Sequence, residues 1–237
     1  ALAALHKVVA ERSSGLLLFG SAIIGEHSAI DLVAASLALT EHAGPAVRIM
    51  PRNRSTPAKD WQVPEAIKQL PFLPSIESAY DQGYRRMIFD LNYTKAELLL
   101  EFGKDVLLIA GTYGCEVEDV FMSSMRGGGS LAESELLALV IAILSVKPVL
   151  GKHGQTVASD LFVMQQESGP IQPMKFEDIV KLLQENRILR WQDEMASLLD
   201  SGDVTAAILK KALPRDRSIS EFLSQRAATK KPASALR

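Results

Sequence analysis

Four short apolar runs punctuate the first half of this chain: Gly15 to Phe19, "PAVRIMP" at 45–51, "RRMIFDLN" at 85–92 and "DVLLIAGT" at 105–112. Each has a nearly continuous apolar centre rather than alternation with polar residues, and turn residues bound it. That is the pattern of a strand buried on both faces. Between the runs, apolar residues recur at helical spacing. Leu5, Val8 and Val9 share one face of Leu5 to Glu11, and Ile30, Val33, Ala34, Leu37 and Ala38 share another. "IESAYDQG" at 76–83 and "TKAELLLEFG" at 94–103 also read as helices, the first with a glycine stop, while the polar, Pro-rich Arg52 to Pro64 reads as a loop. Strands that alternate with helices predict an α/β fold with a mainly parallel sheet flanked by helices.

After Gly129 the pattern becomes mainly helical. Leu131 to Val146, Phe176 to Asn186, Arg190 to Asp200 and Val204 to Lys211 are read as amphipathic helices, whereas "QTVASDLFVMQQ" at 155–166 fits either a strand or a short helix. The expected organisation is an α/β domain over 1–126, a helical C-terminal part over 131–213 and a basic, mobile tail over 214–237. "RGGGS" at 126–130 marks the first boundary, and Gly127 to Ser130 also matches a common flexible-linker unit. With 237 residues, 47% of them hydrophobic, the chain has enough apolar surface for a real core. A net charge of −2 gives no bias towards nucleic acid, and none is expected as a partner. The single cysteine, Cys115, excludes an internal disulfide and a multi-cysteine zinc site. The longest apolar stretch, Leu136 to Leu144, is too short to span a bilayer, so a cytoplasmic location is expected.

One segment carries a chemical signal. "GSAIIGEHS", Gly20 to Ser28, joins an apolar strand to a predicted helix through two glycines, the layout of a phosphate-binding loop. A working loop follows its second glycine with Lys, which neutralises phosphate charge, and then Ser or Thr, which holds Mg²⁺. Here Gly25 is followed by Glu26 and His27, and Ser28 serves only if the loop shifts by one residue. Ile23 and Ile24 also fill the loop with β-branched side chains that resist the angles of a phosphate nest. An ordinary strand-to-helix turn is the plainer alternative. In either case Glu26 or Ser28 can cap the helix start and satisfy its free N–H groups.

Arg48, Arg52 and Arg54 form the densest basic cluster of the first half, read as a solvated loop or else as an anion or subunit contact. His6, His42 and His153 lack partners at metal-ligand spacing, so no metal site is expected. Cys115 has no neighbour to activate it, and Trp61 and Trp191 read as packing residues.

The order of three phrases resembles the motor domain of the PilT/PilB/GspE ATPases of type IV pili and type II secretion. "ALAALHKVVAERSSGLLLFG" is similar to the family's lead-in to its phosphate loop, "DVLLIAGTYG" to the strand entering its His box, and "GQTVASDLFVMQQES" to the phrase after the last motor helix. The resemblance implies a RecA-like P-loop NTPase-type sheet followed by a mainly helical C-terminal segment. Carried over by position, it also implies that the catalytic stations are degenerate. The phosphate loop keeps Gly20 and Gly25 but has Glu26 at the Lys position and His27 at the hydroxyl position. The acidic box retains Pro51 while Ile49 and Met50 take the acidic places. Asp90 and Leu91 stand at the Walker B Gly-Glu pair, and Gly111, Thr112, Tyr113 and Gly114 stand at the His box.

A pseudo-ATPase follows as the expectation: no catalytic residue, no cofactor, and no ATP or Mg²⁺ bound. Such a protein would work through protein contacts, with an active secretion or pilus ATPase or an inner-membrane platform protein, as a homo- or hetero-oligomer. It would lie in the cytoplasm or peripherally at the inner membrane. A divergent ATPase using Asp90 and Ser28 for Mg²⁺ is one alternative, and an unrelated α/β binding domain is the other.

Overall fold

The apolar runs of the first half lie side by side in one sheet. A computed structural model describes residues 2–21, 45–49, 70–91, 96–127, 133–164, 174–212 and 217–229. In chain order the first elements are α1 (Leu2–Glu11), β1 (Gly15–Ser21), β2 (Ala46–Ile49), β3 (Phe72–Leu73), α2 (Ile76–Asp81), β4 (Arg86–Asp90), α3 (Ala96–Phe102) and β5 (Leu107–Tyr113). Then come α4 (Val117–Gly127), α5 (Glu133–Leu139), β6 (Val140–Gly151), β7 (Gly154–Val163), α6 (Phe176–Glu185), β8 (Arg187–Leu189), α7 (Trp191–Asp200), α8 (Ala206–Ala212) and α9 (Arg217–Thr229). The eight strands run in the order β3-β2-β4-β5-β1-β6-β7-β8. All pairings from β3 to β6 are parallel, and β7 and β8 extend the sheet antiparallel.

The α/β fold with a mainly parallel sheet is as the alternation of elements predicts. Successive residues of the central strands go to opposite faces, and both faces are covered. Leu16 and Leu18 of β1 join one apolar cluster with α2, α3, α4 and α5, through residues such as Ile76, Leu99, Phe121 and Leu136. Leu17 and Phe19 join another with Leu5 of α1. This two-sided burial explains why β1 shows no polar alternation. A third cluster, comprising Val149, Ala158, Trp191, Met195, Val204, Leu209 and Ile219, packs α7, α8 and α9 against the far halves of β6 and β7.

One predicted helix is corrected. Leu131 to Val146 does not form a single helix: α5 ends at Leu139, and Val140 begins the twelve-residue strand β6. Leu136 to Leu144 is apolar without a break, and Val140, Ile141, Ile143 and Val146 are β-branched. Strand β6 lies beside β1, where both of its faces are needed in the core, so the alternation that marks a half-buried strand is missing. The sheet therefore continues past Gly127 into the second half of the chain. The ambiguous segment at 155–166 resolves into β7 through its long antiparallel pairing with β6. The predicted helix over 30–38 and the loop at 52–64 lie outside the described residues, as do 214–216 and 230–237 of the basic tail, whereas its residues 217–229 form α9 with Ile219 buried.

Candidate functional site

Three predicted stations meet at one edge of the sheet. Strands β4, β5 and β1 are adjacent and parallel, so their C-terminal ends share that edge. Asp90 pairs in register with Gly111, Gly111 with Phe19, and Thr112 with Gly20. The start of the glycine loop, the Walker B position and the His-box position are thereby brought together. Open sheets of this type bind ligands beyond the carboxyl ends of their strands. Leu91, which the resemblance sets at the Walker B pair, is buried in the core.

Glycine is required at two of these positions. A Cβ on Gly20 would lie 2.0 Å from Cγ2 of Val120, and one on Gly114 would lie 2.5 Å from the same methyl and 2.6 Å from the Val120 backbone N. Helix α4 thus crosses directly over the ends of β1 and β5. The Ser145 hydroxyl donates a 3.0 Å hydrogen bond to the Gly114 carbonyl, fixing the turn after β5 against β6.

The remaining predicted residues divide. Arg48 is a buried residue of β2 whose guanidinium stands 5.2 Å over the Phe72 ring, so it belongs to the sheet and not to a solvated loop. Trp191 is buried, as a packing residue should be, and His153 is exposed beside Asp203 at 3.4 Å. Cys115 is half-buried. Gly25, Glu26, His27, Ser28, Arg52, Arg54, His42 and Trp61 lie outside the described residues, as do the side chains of Asp90 and His6.

Beside this edge the structure places a buried charge cluster that the sequence does not announce. The Arg187 guanidinium of β8 donates to Asp160 of β7 at 3.2 Å, bonds Glu118 at the start of α4, and lies 3.9 Å from Glu116. Asp160 is fully buried, and its second oxygen accepts the backbone N–H of Trp191 at 2.8 Å. Burial pushes the Asp160 carboxyl up to about 6, against the opposing pull of Arg187 and the Trp191 N–H. The Arg187 guanidinium is raised; its carboxylate partners outweigh its own desolvation. The Trp191 indole N–H donates to Glu116 at 3.1 Å, and the Lys147 ammonium lies 4.6 Å over the indole. The available signals were faint: one Asp inside the apolar run of β7, and two acids ahead of an apolar helix. Among the described residues no group of His, Cys, Asp or Glu is arranged to hold a metal ion, and no helix is long and apolar enough to cross a membrane.

By sequence, no family model and no curated protein matches this chain. By fold it is similar to the ATPase DotB of Legionella pneumophila, with a TM-score of 0.62 and 10% identity over 94% of this chain and 63% of that one. The Yersinia pseudotuberculosis ATPase DotB gives 0.59 and 11% over 87% and 60%. The pilus retraction motor PilT, solved with bound ADP, gives 0.62 and 12% over 92% and 66%. The chain thus spans between 60% and 66% of the length of these solved structures. With its sheet order and these neighbours, the chain has the RecA-like fold of the PilT/GspE secretion and pilus motor ATPases.

Proposed function

We propose that this protein is a pseudo-ATPase: a non-hydrolysing relative of the pilus and secretion motors that acts as a structural or regulatory component of such a machine. The observation that carries the reading is Glu26, which stands where a phosphate loop has its lysine, in a segment that continues directly from β1 of a motor fold. Exchanging a cation for an anion beside a polyphosphate turns an attraction into a repulsion. At about 4 Å and an intermediate dielectric, each of these terms is about 4 kcal/mol. The other stations support the reading. Ile49 and Met50 replace acids, Leu91 replaces the residue that would polarise water, and no histidine stands at Gly111 to Gly114. PilT holds ADP; the residues at the matching positions here favour no nucleotide and no Mg²⁺.

Without a hydrolysis cycle, the protein would act through its surfaces. The partners proposed are an active motor ATPase or an inner-membrane platform protein, met at the cytoplasmic face of the membrane. Isothermal titration of the whole chain with ATP and Mg²⁺, with phosphate release measured in parallel, tests the core of this reading. The expected result is no binding heat and no turnover. Micromolar binding or steady phosphate release would overturn it in favour of a divergent ATPase using Asp90 and Ser28. Failure to co-assemble with any motor or platform subunit would count against the proposed partners.

A further inference from the structure

The cluster around Arg187 connects the β5–α4 turn and the start of α4 to the start of α7, and it does so twice. In the first connection, Glu118 of α4 is bound to Arg187, Arg187 to Asp160, and Asp160 to the first backbone N–H of α7 at Trp191. In the second, Glu116 of the β5–α4 turn accepts the Trp191 indole N–H. Trp191 is also the anchor of the third apolar cluster. Its ring meets Phe222 of α9 edge-on at 5.2 Å, and Lys147, over its face, donates to Ser218 of α9. Glu194 of α7 adds a bond from the Ser159 backbone N–H at 2.7 Å.

Three carboxylates converge on one buried guanidinium, and desolvating such a set costs several kcal/mol per ion before the pairing offsets it. Well-packed apolar residues would stabilise the same interface at least as well. What an ionic set adds is directionality: the bonds from Arg187 to Asp160 and Glu118 and from Trp191 to Asp160 and Glu116 favour one placement of α4, β7, β8 and α7, with Glu118 Oε1 and Arg187 Nε left without a hydrogen-bond partner among the described residues.

We propose that Arg187, Glu116, Glu118, Asp160 and Trp191 form a latch through which the β5–α4 turn, beside the start of the glycine loop, sets the docking of the C-terminal helices α7 to α9. The latch goes beyond the pseudo-ATPase reading and stands whether or not the chain hydrolyses a nucleotide. In either case a partner or ligand that displaces the start of α4 would loosen helices whose sequence begins about 70 residues later.

Hydrogen exchange of the whole chain tests it. Glu118→Gln keeps the shape of the side chain and removes its charge. Exchange over 191–200 and 217–229 is expected to quicken by about threefold or more, with 15–19 and 107–111 unchanged. Linkage is reciprocal, so Trp191→Phe, which removes the indole N–H, is expected to quicken exchange over 116–121. Faster exchange confined to α4 in the first variant, or spread evenly over the chain, would overturn the latch. So would an unchanged β5–α4 turn in the second. Arg187→Met should release both ends together; if it fails to fold, the two conservative variants still decide.

Discussion

At the scale of single residues, the contact between Gly20, Gly114 and Val120 makes a discriminating prediction. Gly20→Ala drives its new methyl into the Val120 side chain, whereas Gly114→Ala also meets the Val120 backbone. Each alanine should cost about 1–3 kcal/mol. Val120→Ala should restore much of the loss for the first and little for the second, as urea denaturation of the two double variants would show. Asp160 makes a second prediction. Its carboxyl is raised mainly by burial, and also by Glu116; Arg187, the Trp191 N–H and Lys147 pull it down, and Glu118 shares its guanidinium. A carboxyl whose native pKa lies above its unfolded value stabilises the fold at low pH. That contribution is fully present below about pH 4 and is lost as the pH rises through about 6. Relative to Asp160→Asn, the natural protein should therefore lose about 2–3 kcal/mol of stability between pH 4 and pH 7.5. A relative gain over that range would show that the ion pair, not desolvation, dominates.

Among the elements, the docking of α7, α8 and α9 depends most on Trp191. Trp191→Ala removes the contact with Phe222, the platform for Lys147 and the hydrogen bond to Glu116. The loss should be about 3–5 kcal/mol, and Trp191→Phe should recover more than half of it, measured by the circular-dichroism signal during unfolding. Strands β1, β4 and β5 and helices α2 and α3 were legible in the sequence because turn residues bound each of them. Strand β6 was not. Val140 to Val146 follows α5 without a turn residue, and burial on both faces erases the alternation that separates strand from helix. The candidate edge was legible because its stations sit at strand ends that follow buried runs. The latch was not, because Glu116, Asp160, Arg187 and Trp191 each look ordinary in their own segment. Only the antiparallel return of β7 and β8 brings them together.

For the molecule as a whole, the question is whether this fold needs a bound nucleotide to hold its frame. The glycine framing at Gly20 and Gly114 gives a physical answer, because both positions are required by the packing of Val120 regardless of any phosphate. Core contacts alone then hold the sheet order and the helix packing at these positions. A ligand that binds only the folded state at a concentration one hundred times its Kd adds about 2.7 kcal/mol of stability. For a chain of this length each kcal/mol raises the melting temperature by about 2–4 °C, so a genuine micromolar site saturated with nucleotide would move it by at least about 5 °C. On the pseudo-ATPase reading proposed above, about 5 mM ATP with Mg²⁺ is expected to move the midpoint by less than about 1 °C. Thermal unfolding at several nucleotide concentrations checks this. A midpoint that climbs with the logarithm of ATP concentration would mean that the fold has kept its ligand along with its frame.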